Sequence, residues 1–354
     1  MSGSLLLEEH LDGTADDGVA VVRRARRSPR RRRRLVLAGL SVLLFAVVAA
    51  RVLLGDFTFT VPDFFRILFG AEIPGASFIL MEAKLPRAVL GALVGVAFGV
   101  AGAIFQATLR NPLASPDVIG VSMGASAFAV VAIVLLDLEG APVSLAAILG
   151  AVAAAVLVRL VAGPGGTHHL VLAGIGMAAA LLSVVHYVFT RANVWDMQLV
   201  LRWLTGSVSS ADWPTIRLLT VALLVLLPLV TWATRALPVL ELGEDAATGL
   251  GVGPHRSDLV LMLAVLLTAV GVAAAGPIAF VAFLAGPIAR LLLGGRTTLV
   301  GAALVGATIV VGADYVADYL LDDINFPTGV VTGAFGAPFL LWLLASGRTG
   351  RRVA

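Results

Sequence analysis

Apolar runs of about twenty residues recur along this chain, parted by short polar corners, and each is long enough to cross a bilayer as a helix. The runs fall at 35–54, 88–108, 117–136, 143–162, 170–190, 213–235, 258–275, 277–293, 298–320 and 328–345. Most lack the polar stripe of a helix half-covered by water. Gly and Ala are frequent inside them, as expected where helices approach closely without a hydrophobic drive. The eighth run is short and broken by Gly276, Pro277, Gly286 and Pro287, but without it the alternation of loop charge downstream would fail. The expected fold is all-α, a polytopic membrane protein of about ten transmembrane helices forming one domain over residues 35–346.

Loop charge orients the bundle. Residues 1–34 are polar, with five acids followed by nine arginines between Arg23 and Arg34, and predict a disordered tail. Arginines just before a span hold that end in the cytoplasm. Topology and attraction to anionic lipid account for them without a nucleic-acid partner. The run 35–54 is too long for a signal-peptide core and reads as a retained helix. Ten spans return the carboxyl end, with a short tail at 347–354, to the same side. Arg110, His168, His169, Arg235, Arg256, Arg290 and Arg296 then fall in inner loops, while Asp56, Asp63, Glu72, Asp137, Glu139, Asp196, Asp212, Asp322 and Asp323 fall outside. Both termini are expected in the cytoplasm.

Composition removes several kinds of chemistry. Of 354 residues, 59% are hydrophobic and 13% charged, which excludes an ordinary soluble domain. There is no cysteine, and the single lysine, Lys84, is followed by Leu85, so no phosphate-binding GxxxxGK[ST] loop exists. HExxH and GxSxG are absent as well. No catalytic, cofactor-binding or metal-binding set is expected, and any ATP and Mg would be bound by another subunit.

Two polar segments stand out. In 84–124 a glycine-studded run begins with Lys84 and Arg87 around a proline and ends in the corner RNPLASP, 110–116, whose prolines remove donors and stiffen the turn. By the charge pattern the two cations lie outside, where they either snorkel or dock an acidic partner. Gln106, inside the run, either bonds a neighbouring helix or touches a pathway. The second segment, 238–254, is too polar to cross a membrane. With Glu241, Glu244 and Asp245 near the start of a short helical stretch and Gly249, Gly251 and Gly253 at its end, it is either a solvated loop or a helix presented to a partner.

Five blocks in order resemble the FecCD-type permeases of ABC importers for iron-siderophores, haem and vitamin B12: KLPR at 84–87, GVAFGVAGAIFQATLRNPLASPDVIGVSMGA at 95–125, LGEDAATGLGV at 242–252, GPIAFVAFLAGPIAR at 276–290 and FPTGVVTGAFGAPFLLWLL at 326–344. The resemblance covers roughly 35–346. It implies a permease paired with a second copy or a paralogue, two cytoplasmic ATPases beneath, and an extracellular or periplasmic substrate-binding protein that delivers the ligand. It also implies a multi-pass place in the bacterial cytoplasmic membrane. Leu242, Gly243, Glu244, Ala247 and Leu250 become ATPase-coupling positions, Asn111, Leu113 and Thr167 a cytoplasmic gate, and Lys84 and Arg87 docking contacts for the binding protein. Pore lining is expected from about 170–207.

The chain departs from the family pattern at Asp318, where members often carry Arg, at Asn325, at Gly286-Pro287-Ile288, where a Pro-His pair is usual, and at His168. RWLTGSVSSADW at 202–213 is most similar to the branch serving ferric siderophores, particularly catecholates; haem or cobalamin is the alternative cargo. An ion-coupled secondary transporter is the alternative of another class, with His186, Asp314 and Asp318 as its candidate ionisable groups, all expected to reach water in the outer half of their spans.

Overall fold

The computed structural model describes residues 31–163, 166–319 and 325–346. The tail at 347–354, all but the last four residues of the tail at 1–34, and Asp322 and Asp323 lie outside the described residues. Thirteen helices are described: α1 Arg31–Leu53, α2 Val61–Leu68, α3 Ala76–Thr108, α4 Val121–Val134, α5 Ala141–Ala162, α6 Gly166–Phe189, α7 Val194–Thr205, α8 Trp213–Leu240, α9 Glu244–Gly249, α10 Pro254–Ala275, α11 Val281–Leu292, α12 Leu299–Tyr319 and α13 Thr328–Ala345. Seven (α1, α3, α5, α6, α8, α10 and α12) are long and apolar enough to span, and α4, α11 and α13 are shorter apolar helices. Each of the ten expected runs carries one of these ten, and the described residues contain no strand.

The 33-residue α3 is the axis of the bundle, mostly buried, with α12, α10 and α11 packed around it. Its small residues explain why. A Cβ on Gly95 or Gly99 would fall within van der Waals contact of the backbone of α12, at Gly306 and Ala302, and one on Gly102 would strike the carbonyl of Ala282 in α11. Backbones at this distance gain dispersion contacts that larger side chains would prevent. Gly124 and Gly150 do the same between α4 and α5. By contrast α1 is peripheral. Its amino-terminal half touches α11 and α12 through Val36 and Leu40, and its carboxyl-terminal half packs Val52 beside Leu80 and Ala88 of α3.

Three boundaries differ from the sequence reading, each for a local reason. The second span starts at Ala76, twelve residues before 88, because its helix runs on through a π-turn at Ile79–Lys84. Such turns leave the backbone ladder irregular; here Trp213 Nε1 donates to the Met81 carbonyl at 2.8 Å. The third run yields only the 14 residues of α4. Its first residues form a 3₁₀ turn, Pro116–Ile119, closed by Gly120 at φ 78°. The eighth yields the 12 residues of α11, about 18 Å of helix and so little more than half the hydrocarbon thickness. Gly276 (φ 71°) and Phe280 (φ 64°) hold the preceding residues out of the helix.

Candidate functional site

Two ends of α3 carry the candidate chemistry. At its carboxyl end the chain turns at Arg110, whose φ of 51° is unusual for a residue with a side chain. The Asn111 amide donates to the Gln106 carbonyl at 3.1 Å, and Asn111 Oδ1 accepts from the Leu113 amide at 2.9 Å. This is an Asx turn, the local bonding that suits asparagine to corners. Ser122 Oγ then donates to Asp117, tying the 3₁₀ turn to the start of α4. The corner is stiff by its own bonding before any neighbour is considered.

Segment 242–252 sits directly against this corner. Gly243 has φ 110°, and a Cβ built there would lie 2.9 Å from Arg110 Nη1. The backbone angle is what calls for glycine here, since the flexible Arg110 side chain could shift to make room. From Gly243 the six-residue α9 runs to Gly249. Ala247 is buried in the main core and its amide bonds the Gly243 carbonyl at 2.8 Å, while Leu242 and Leu250 are 62% and 63% exposed. Among the coupling positions expected from sequence, then, Leu242 and Leu250 present apolar surface and Ala247 seats the helix. The side chains of Glu244 and of Thr167, a gate candidate, lie outside the described residues.

Gln106 is buried one turn before the corner, with its polar atoms engaged. Nε2 donates to the Phe283 carbonyl at 3.1 Å, and Oε1 accepts from Arg290 Nη2 at 2.9 Å. These bonds cross from α3 to α11, and Gln106 also lines a cavity together with Arg110 and Arg290.

At the other end of α3, a charge cluster joins α1, α3 and α12. Arg51, 1% exposed, donates from Nε to Asp314 at 2.6 Å, from Nη2 to Asp318 at 2.9 Å and from Nη1 to the Tyr319 hydroxyl at 3.1 Å. Arg87 reaches the same carboxylates, Asp314 at 2.9 Å and Asp318 at 3.0 Å. Thr328 Oγ1 adds a longer contact to Asp314 at 3.4 Å. Two guanidinium groups match two carboxylates, the condition under which charges survive in a low-dielectric interior. Lys84 is also buried and donates to the carbonyls of Leu54 and Phe57, each at 2.5 Å. Lys84 and Arg87, expected as rim cations, are therefore both engaged inside the chain.

The expectation that Asp314 reaches water is overturned: it is buried and held by two arginines. Arg51 was missed by sequence reasoning altogether. Its signal was present, a lone arginine near the carboxyl-terminal end of an apolar run, with Asp314 and Asp318 one turn apart on another run. Only the fold brings the three together.

Comparison with known proteins places this geometry. The sequence profile of the FecCD transport family matches residues 42–346. The ferric enterobactin transport system permease protein FepG of Escherichia coli (strain K12) is 36% identical over 318 residues, 88% of this chain and 96% of the relative. The Fe(3+) dicitrate transport system permease protein FecD of the same organism is 38% identical over 271 residues, 75% of this chain and 85% of the relative. The chain belongs to the FecCD transport family. Among solved structures, a metal-chelate type ABC transporter in an inward-facing conformation superposes with a TM-score of 0.76 at 26% identity, over 88% of this chain and 99% of that one. As a FecCD permease the chain is a multi-pass protein of the cytoplasmic membrane, and the corner at 110–116 and segment 242–252 stand in direct contact within the FecCD fold.

Proposed function

We propose that this chain is the transmembrane permease subunit of an ATP-driven importer that moves a ferric siderophore across the cytoplasmic membrane by alternating access. The observation that carries the reading is the seating of 242–252 against the Asn111 corner, within a chain aligned to permeases named for ferric enterobactin and ferric dicitrate. A helix pushed from below has a rigid element to act on. Two partner ATPases bind and hydrolyse ATP, Leu242 and Leu250 insert into them, and Gly243 and Ala247 keep α9 in register, with Glu244 at its start. The motion passes through Arg110 to the gate formed by Asn111, Leu113 and Thr167. Both termini lie on the ATPase side, and a second permease, identical or paralogous, completes the pathway.

On the outer side a substrate-binding protein delivers the chelate over the end of α3. Lys84 and Arg87 shape that docking surface from within, through the loop carbonyls and the carboxylates they hold. Ion coupling has little support, since buried Asp314 and half-buried Asp318 are each matched by guanidinium groups. The test is reconstitution in liposomes with the ATPase and binding protein. ATP hydrolysis stimulated by loaded binding protein and ATP-dependent chelate uptake are expected; uptake driven by a proton gradient without any ATPase would overturn the reading.

A further inference from the structure

At the end of the bundle that carries the gate corner, a cavity of about 610 Å³ opens between five segments of the chain. Arg32 at the start of α1, Arg110 after α3, Glu241 after α8 and Arg290 in α11 line it. Three guanidinium groups face one carboxylate, an excess of two positive charges. Arg290 is fixed in the wall by its bond to buried Gln106. Among the described residues, neither Arg32 nor Arg110 is paired with a carboxylate. Concentrated cations inside a concave site call for an anion, and guanidinium groups suit the several oxygens of a phosphate.

The border of the cavity narrows the choice. Arg32 stands on the peripheral α1, and Leu35, one turn on and on the same face, is 63% exposed. Leu291 lines the cavity and is 45% exposed. The mouth therefore meets the apolar outer surface of the bundle, where acyl chains lie. We propose that this cavity is a headgroup site for an anionic phospholipid of the inner leaflet, the phosphodiester held by Arg32, Arg110 and Arg290 and an acyl chain lying along α1. Basic pockets between transmembrane helices on the cytoplasmic side suit such lipids. The assignment to the inner leaflet rests on the topology of the proposed function. Because Arg110 also lies over Gly243, a bound headgroup would bridge the peripheral helix and the coupling segment.

The test is native mass spectrometry of the full-length chain in mild detergent, offered equal amounts of phosphatidylglycerol and phosphatidylcholine. Wild type should retain one phosphatidylglycerol in preference to phosphatidylcholine. The R32Q/R110Q double variant should weaken that retention about thirtyfold, from roughly one surface-type contact energy per arginine. R66Q/R217Q, the same loss of charge at exposed sites elsewhere, should retain it, and R32K/R110K should keep most of it. Equal retention of both lipids, or unchanged retention in R32Q/R110Q, would overturn the proposal. Release of the lipid by millimolar inorganic phosphate would assign the site to a free anion instead, and release by the partner ATPase would assign it to an acidic segment of that protein. The readout involves no transport, so its failure leaves the importer reading standing, and failed uptake in liposomes leaves the lipid site standing.

Discussion

Arg51 is fully buried, and its value lies in the carboxylates it neutralises rather than in any net gain from the pair. Breaking a buried pair by removing one partner strands a charge and costs about 3–5 kcal/mol, whereas replacing both with apolar groups is often neutral or better. Arg51→Met is therefore expected to lower the thermal unfolding midpoint in detergent by far more than the double replacement R51M/D314L does, a non-additivity that a double-mutant cycle reads directly. Additive losses would show that the cluster is no energetic unit. At Gly243 the expectation is local. Gly243→Ala adds a Cβ at φ 110° beside Arg110, a strain of about 1–3 kcal/mol. It should lower chelate-stimulated ATPase activity in the reconstituted importer while leaving the unfolding midpoint within a few degrees of wild type. The special backbone angle could not be read from sequence, although the family resemblance had singled out this glycine.

The helices themselves were largely legible, since length and continuous apolarity announce a span without any neighbour. What sequence obscured were helix ends within apolar stretches. In 117–136 and 277–293 hydropathy continues across Gly120 and Phe280, where the backbone leaves the helix. The forward extension of α3 was missed because hydropathy breaks at Lys84 and Arg87, just before the apolar run begins. Close helix approach follows from small residues, and Gly102 is the sharpest case, as any side chain meets the Ala282 carbonyl. Gly102→Val should cost upwards of about 1–3 kcal/mol by overpacking, seen as reduced folded yield and a lower midpoint in detergent. The residues flanking α9 offer the opposite case, as Leu242 and Leu250 are exposed apolar side chains that do little for the fold. L242E/L250E should leave the isolated chain's midpoint nearly unchanged and abolish co-purification of the ATPase. Retained assembly would remove these leucines from the interface.

Across the whole molecule, α3 links the two ends, from the charge cluster at Arg87 to the corner at Asn111, and it is the most deeply embedded of the described spans. The sequence carried the order of blocks, the polarity of the loops and the family. It did not carry which charges meet, because Arg51 and Asp314 lie 263 residues apart and pair only once α1, α3 and α12 have packed. Nor did it reveal the arginine-lined cavity, whose walls come from five separated segments. The claim that joins these observations is that ATP energy enters through 242–252 and opens a path for a ferric chelate. The most direct test is uptake of a ferric catecholate into liposomes holding the permease pair, its ATPases and binding protein, with ATP supplied to the ATPase side and no ion gradient. The account predicts ATP-dependent accumulation that is lost in L242E/L250E. Accumulation without ATP hydrolysis, or undiminished in that variant, would contradict it.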